Sequence, residues 1–225
     1  MRPLSTPDET EIQPPCPLCS SDDAVPFHRD SKREYLQCGI CRLVFVPPQF
    51  FLSEADEKAH YDHHRNSPDD PQYREFLSRL LRPMRDVLPP NSEGLDFGCG
   101  PGPALSVMFG ELGHRVTNYD KFYNDDRSAL SRTCDFITAS EVAEHLHSPG
   151  REFQRLWSCL RPGGVLGVMT QPLPQPSQFP DWYYKADPTH VCFYSATTWR
   201  WIADFLDAKL IRPRVDVTLL VKRQS

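Results

Sequence analysis

The sequence predicts an α/β protein, a parallel sheet covered by helices, preceded by a small four-cysteine ribbon and a helical linker. From residue 93 onward, short apolar runs alternate with stretches of helical periodicity, the pattern of parallel strands joined by crossover helices. Within that region Gly94-Leu95-Asp96-Phe97-Gly98-Cys99-Gly100-Pro101-Gly102 reads as a strand that ends in an acid and runs into a glycine loop. Such a loop lets the backbone approach a ligand at the carboxyl edge of a parallel sheet, where side chains would collide with it. Ahead of it, Cys16-Pro17-Leu18-Cys19 and Cys38-Gly39-Ile40-Cys41 form two C-x2-C pairs separated by 18 residues, the spacing of a four-cysteine zinc ribbon.

The ribbon occupies residues 1–50. Each cysteine pair makes a knuckle that points two thiolates at one ion, and the strand-like residues 34–37 belong to the hairpin between them. Thiolates of Cys16, Cys19, Cys38 and Cys41 would fill the tetrahedron and leave no open position, so the zinc is expected to be structural. A segment of this size lacks the apolar mass for its own core, and the metal is expected to supply folding energy on the order of 10 kcal/mol. The other four cysteines, Cys99, Cys134, Cys159 and Cys192, fall in strand, loop or helix contexts and read as small core residues.

Residues 51–90 read as a helical linker or lid. A strand over 43–46 is stopped by Pro47-Pro48, and Ser53 caps a helix whose first turn is acidic. A second helix over 73–87 carries Phe76, Leu77, Leu80, Leu81, Met84 and Val87 at helical spacing. His60, His63 and His64 lie on the first helix, on a wet face or as part of a lid. Residues 91–225 form the larger domain. Strands are expected over 94–97, 115–119, 135–139 and 165–170, helices over 103–112, 151–160 and 197–210, and a closing hairpin over 211–221.

The 225 residues carry 25 Lys and Arg against 30 Asp and Glu, a formal charge of -5. That balance gives no general reason to bind nucleic acid or an anionic membrane. No apolar run approaches the ~18 residues of a membrane span, and the proline-rich start lacks an apolar signal core. A soluble, cytoplasmic protein is expected.

The alternating glycines after Asp96, D-x-G-x-G-x-G, differ from the G-x-G-x-x-G of dinucleotide sites. They resemble motif I of class I S-adenosylmethionine (SAM) dependent methyltransferases. The resemblance continues in residues 135–146, similar to motif IV, and in Leu160-Arg161-Pro162-Gly163-Gly164-Val165-Leu166, the helix-to-strand turn of these enzymes, and it covers roughly residues 91–222. It implies a Rossmann-like sheet and SAM as donor. Gly98, Cys99, Gly100 and Gly102, with Ser140, would line the methionine and ribose moieties. Asp96 would hold the amino group directly or through water. Asp120, 24 residues after Asp96 at the end of the second strand, would accept from the ribose hydroxyls. Only 14 residues separate Asp120 from Asp135, too few for another strand with its crossover helix. The third strand of such sheets is therefore expected to be shortened or missing.

For the acceptor, Glu141, Glu144 and His145 stand at i, i+3 and i+4 and would share one helical face, while His190 lies in a distant segment, residues 187–195, able to fold back over the sheet edge. This E-x-x-E-H pattern with a distal histidine resembles metal-dependent O-methyltransferases, which implies a second divalent ion, Mg2+ or Zn2+, that lowers the pKa of an acceptor oxygen. It equally resembles metal-free relatives in which a histidine acts as base, and both readings stay open. Trp182, Tyr183 and Tyr184 look like a lid offering rings to a planar acceptor, or packing against the sheet edge. The leading expectation is methyl transfer, as O-methylation, to a small hydroxylated or aromatic metabolite. The alternatives are RNA methylation with the ribbon as RNA grip, and a non-catalytic adaptor that senses SAM. Residues 1–50 hold five Lys and Arg against seven Asp and Glu, a poor balance for phosphate binding.

Overall fold

The first two helices begin at side-chain caps. In the computed structural model, which describes residues 13–63 and 67–224, Ser53 accepts from the Asp56 amide at the start of α1 (Glu54–Tyr61). Asp70 accepts from the amides of Gln72 and Tyr73 at the start of α2 (Pro71–Arg85), with Pro71 at the first helical position. His64 lies outside the described residues.

The central sheet is built from β4 (Glu93–Phe97), β5 (Arg115–Tyr119), β6 (Cys134–Ser140), β7 (Leu160–Met169), β9 (Ala208–Arg214) and β10 (Val217–Lys222), in the order β5-β4-β6-β7-β10-β9. The first four strands are parallel, and β10 runs antiparallel to both β7 and β9. On one face, α2 and α3 (Ala104–Glu111) bury Leu80, Met84, Leu105 and Phe109 against Phe136, Val165 and Leu219. On the other, α4 (Pro149–Cys159) and α5 (Ala196–Phe205) bury Phe153, Leu156, Trp199 and Ile202 against Leu95, Ile137, Leu166 and Leu220. The carboxyl ends of β4, β5 and β6 thus open on one edge, where a ligand belongs in such sheets.

Between β5 and β6 there is only a short 3-10 turn, Arg127–Ser131, and β5 is the sheet's edge. The third strand is missing, as the length of the interval requires. Two segments differ from the sequence expectation. The last helix, expected to residue 210, ends at Phe205, because Asp207 turns left-handed (φ +49°) and residues 208–214 are drawn into pairing with β10. β7 begins at Leu160 instead of near 165, because Leu160 pairs with Cys134 ahead of an irregularity in the ladder.

The ribbon consists of β1 (Ala24–Arg29), β2 (Glu34–Cys38) and β3 (Val44–Phe45), and its sheet is completed by β8 (Cys192–Phe193), in the order β1-β2-β3-β8. Its buried side chains, among them Leu18, Tyr35, Leu43 and Phe45, lie in the same apolar cluster as Phe179, Phe193 and Tyr194. A ribbon too small for a core of its own borrows one. Among the described residues no helix is long and apolar enough to cross a membrane.

Candidate active site

One cavity of about 640 Å3 opens at the carboxyl edge of β4, β5 and β6, within the ~300–1,000 Å3 typical of small-molecule sites. Its first end is the glycine loop. Gly98 is left-handed (φ +74°), and a Cβ there would stand 2.4 Å from a Val142 methyl, so the residue type is required twice over. The loop is tied to the next strand by Gly98 N and Cys99 N, which donate to Tyr119 O at 2.8 and 3.2 Å. Asp120 holds it from the other side. Its Oδ2 accepts from Gly100 N at 3.0 Å, and its Oδ1 accepts from the amides of Phe122 and Tyr123 at 2.8 and 3.2 Å. A carboxylate has about four acceptor sites, so one remains for a hydroxyl in the cavity. Cys99, Gly100 and Ser140 also line the cavity. Gly102 is buried at the head of α3 and is not among the lining residues.

Asp96 lies behind this loop, only 3% exposed. Its Oδ1 accepts from Thr138 Oγ1 at 2.7 Å, and Ser106 Oγ stands 3.5 Å from its Oδ2. Burial pushes its pKa up to about 6, against these two hydroxyls and with help from the charge of Asp120. The unfolded chain releases this proton near 3.8, so between about pH 4 and 6 the folded chain binds more protons. The stability contributed by protonated Asp96 is full below that window and lost as pH rises through it. Asp96→Asn is expected to flatten that part of a melting-temperature profile, removing a pH-dependent contribution of up to about 3 kcal/mol. Identical slopes in variant and wild type would show that Asp96 does not titrate there.

At the second end, the helical face expected for Glu141, Glu144 and His145 is reduced to a single 3-10 turn, Ala143–His145. Glu141 precedes it in a left-handed conformation (φ +53°) and does not share that face. The ligand atoms of Glu144, His145 and His190 come within 4.8 Å of one another, and the rings of His145 and His190 meet edge to face at 4.6 Å. Glu141 stays outside that group. The phenol of Tyr184 instead joins the two carboxylates, touching Glu144 Oε1 and lying 3.2 Å from Glu141 Oε2, with Thr170 Oγ1 at 3.3 Å.

The site is short of protons and cations. Glu144 is fully buried, and Glu144 Oε2, Glu141 Oε1 and Ser140 Oγ are buried without hydrogen-bond partners among the described residues. One phenol proton serves one carboxylate at a time. Burial, and then the charge of Glu141, pushes Glu144 up to about 8. Burial pushes Glu141 up to about 7, against Tyr184 and the charge of Arg79, a guanidinium already paired with Asp216 at 2.7 Å. His190 Nδ1 donates to Tyr184 O at 2.7 Å, which leaves Nε2 with its lone pair. Burial, against the Asp187 carboxylate, lowers His190 to about 4 and keeps it neutral. Asp187 Oδ2 in turn takes His60 Nε2 at 3.1 Å.

Sequence reasoning read residues 51–90 as a linker or lid but did not single out the side chains that roof the cavity. Glu57 and Tyr61 on α1 and Tyr73 and Phe76 on α2 line it, and Glu57, the one buried residue of α1, meets Lys121 at 2.8 Å. The low apolar content of α1 hid this, since its contacts with the site are polar. Tyr184 was visible only as an aromatic in a lid. Of its neighbours, Trp182 packs between Phe179 and Phe193, and Tyr183 is exposed.

The four ribbon cysteines form a second cluster, all Sγ atoms within 4.8 Å of one another and three of the four residues buried. Cys16 and Cys41 stand 3.4 Å apart, as do Cys19 and Cys38. These separations are too long for disulfides and close to the ~3.8 Å edge of a tetrahedron with zinc–sulfur distances of ~2.3 Å. The set fits a zinc ion and leaves no open position.

The chain is similar, at 30% identity over 125 residues, to a trans-aconitate 2-methyltransferase of Deinococcus radiodurans. The match covers 45% of this chain and 48% of that protein, so the chain spans about half the length of this curated relative. Among solved structures it is similar to the magnesium protoporphyrin IX methyltransferase (ChlM) of Synechocystis PCC 6803 with bound SAH, with a TM-score of 0.52, 14% identity, and coverage of 77% of this chain and 97% of that one. A SAM-dependent methyltransferase from Archaeoglobus fulgidus gives a TM-score of 0.50 at 18% identity, covering 66% and 94%. At these identities the structures show a shared fold. A family profile described as Methyltransferase domain matches residues 61–211, from the end of α1 into β9, and the chain belongs to that methyltransferase family.

Proposed function

We propose that this protein transfers a methyl group from SAM to a hydroxyl of a small metabolite. The observation that carries the reading is a single cavity with the glycine loop and Asp120 at one end and Glu141, His145 and His190 at the other. SAM would supply an electrophilic methyl on a sulfonium. The protein's part is to align the acceptor and take its proton. Gly98 and Gly100 would let the donor approach the backbone, Asp120 would accept from its ribose, and Asp96 would act from behind the loop. His190, neutral and with Asp187 Oδ2 3.8 Å from its Nε2, is the group that would receive the proton, whereas Glu144, fully buried and pushed up to about 8, is not among the residues that line the cavity. The methyl acceptor of the Deinococcus radiodurans relative, trans-aconitate by its name, supports a small-molecule acceptor. A cytoplasmic location fits eight cysteines that are all free.

The orphaned Glu144 Oε2 favours a second reading of the same cluster, in which Glu144, His145 and His190 hold a divalent ion that lowers the acceptor's pKa. Restoration of turnover by Mg2+, Mn2+ or Zn2+ after chelation would select it. RNA methylation is disfavoured, because Arg33, a basic residue of the ribbon, is buried against protein carbonyls and the ribbon segment is acidic in balance.

Transfer of labelled methyl from SAM into a fractionated cell extract tests the proposal. Label in small molecules supports it, label in RNA overturns it, and SAM binding without label favours the adaptor. Asp120→Ala tests the donor end. It is expected to weaken S-adenosylhomocysteine binding about thirtyfold or more, the scale of lost hydrogen bonds to a charged group, by calorimetry. Unchanged affinity would remove the donor assignment.

A further inference from the structure

We propose that the ribbon is a clamp on the acceptor loop and that Arg33 is the positioning residue of that clamp. Arg33 sits in the turn between β1 and β2 and is only 7% exposed. A buried guanidinium usually answers a carboxylate, and among the described residues this one pairs with none. It donates to the backbone carbonyls of Lys185, Asp187 (2.8 Å) and Pro188 (3.2 Å), and through Nε to the Tyr35 phenol at 2.9 Å. A planar fork of five donors can satisfy several carbonyls of an irregular loop at once, which a lysine ammonium cannot do in that geometry.

The contacts around it point the same way. Lys185 Nζ returns to Asp30 Oδ2 at 3.0 Å, and Asp30 Oδ1 accepts from the amides of Lys32 and Arg33, so turn and loop are locked to each other. A few residues on, Val46 N donates to Val191 O at 2.9 Å, and β3 pairs with β8. At the first knuckle, Gly150 N donates to Pro17 O, and a Cβ on Gly150 would stand 2.2 Å from Leu18 O, so ribbon backbone is seated directly on the start of α4.

The clamped segment carries Tyr184, Asp187 and His190. Tyr184 O fixes the tautomer of His190, and the Tyr184 phenol joins the two glutamates. The family match begins at residue 61, after the ribbon, yet includes this loop. The ribbon thus completes a site that the matched region carries but does not hold alone. Asp120, by contrast, bonds within residues 100–124. The clamp should therefore act on the acceptor end and spare the donor end. That assignment of ends rests on the reading under Proposed function.

Hydrogen exchange followed by mass spectrometry on the full chain tests it, with Arg33→Ala and Arg33→Lys. In both variants the amides of residues 184–191 are expected to exchange about tenfold faster, while β2 protection, zinc content and S-adenosylhomocysteine affinity stay at wild-type values. Unchanged exchange at 184–191 in a variant that retains its metal would overturn the clamp. Joint loss of zinc and β2 protection in both variants would make Arg33 a ribbon-folding residue, and would overturn it too. Labelled methyl transfer on the same samples separates the two proposals, because exchange decides the clamp even if the wild type transfers no methyl. If the wild type transfers, a variant with a loosened loop is expected to transfer at least about tenfold less, and undiminished transfer would overturn the positioning role.

Discussion

Cys41→Ser is expected to leave the ribbon without metal and to lower the melting temperature of the whole chain. Cys41 is fully buried, and its Sγ belongs to a group of four within 4.8 Å. A serine hydroxyl is not a thiolate, and three sulfurs do not close the tetrahedron. Binding free energy at such sites, on the order of 10 kcal/mol, is folding free energy because the unfolded segment offers no site. The loss should not stop at the ribbon. Leu18, Tyr35, Leu43 and Phe45 share their apolar cluster with Phe179, Phe193 and Tyr194, and β3 holds β8, so an unfolded ribbon exposes the far side of the loop that carries Tyr184 and His190. Metal analysis and thermal denaturation check this together. A metal-free variant that melts within about 2 °C of wild type, a shift worth about 1 kcal/mol or less for a chain of this size, would show that the cysteines do not organise the fold.

What the sequence disclosed was what local chemistry determines. The cysteine spacing, the cap at Ser53 and the acid-to-glycine turn at Asp96 act over a few residues, and they appear in the structure where the pattern places them. The missing strand was also legible, because 14 residues cannot make a crossover. Long-range pairing was not. β8 is two residues long and pairs with β3 across nearly 150 positions, and nothing in Cys192-Phe193 signals a strand. The early end of α5 has the same origin, since residues 208–210 are won by their ladder with β10.

The candidate site divides along the same line. Gly98, Gly100, Asp120, Ser140, Glu141, His145 and His190 do meet around one cavity. Helical spacing misled for Glu141, because a left-handed residue before a 3-10 turn breaks the i, i+3, i+4 relation. Tyr184 between two acids, and Arg33 against three carbonyls, are contacts between segments far apart in the chain, where residue type alone carries no signal.

His190→Ala is expected to cut methyl transfer about a hundredfold or more while leaving S-adenosylhomocysteine binding within about twofold, the usual scale of a lost proton acceptor. The ring is held from two sides, by Tyr184 O on Nδ1 and by the Tyr184 ring with a centroid 4.1 Å away, and its Nε2 is the atom left for chemistry. Burial keeps that nitrogen unprotonated, so the ring offers a lone pair whether it takes a proton itself or shares an ion with Glu144 and His145. The donor end contributes none of these contacts, since the glycine loop and Asp120 hang from β4 and β5. Loss of transfer with intact donor binding would therefore place His190 in the acceptor chemistry. Transfer within about twofold of wild type, measured as label moved into the same extract fraction, would make it a packing residue. In that case Glu144→Gln should also leave turnover intact, because the two side chains serve one cluster.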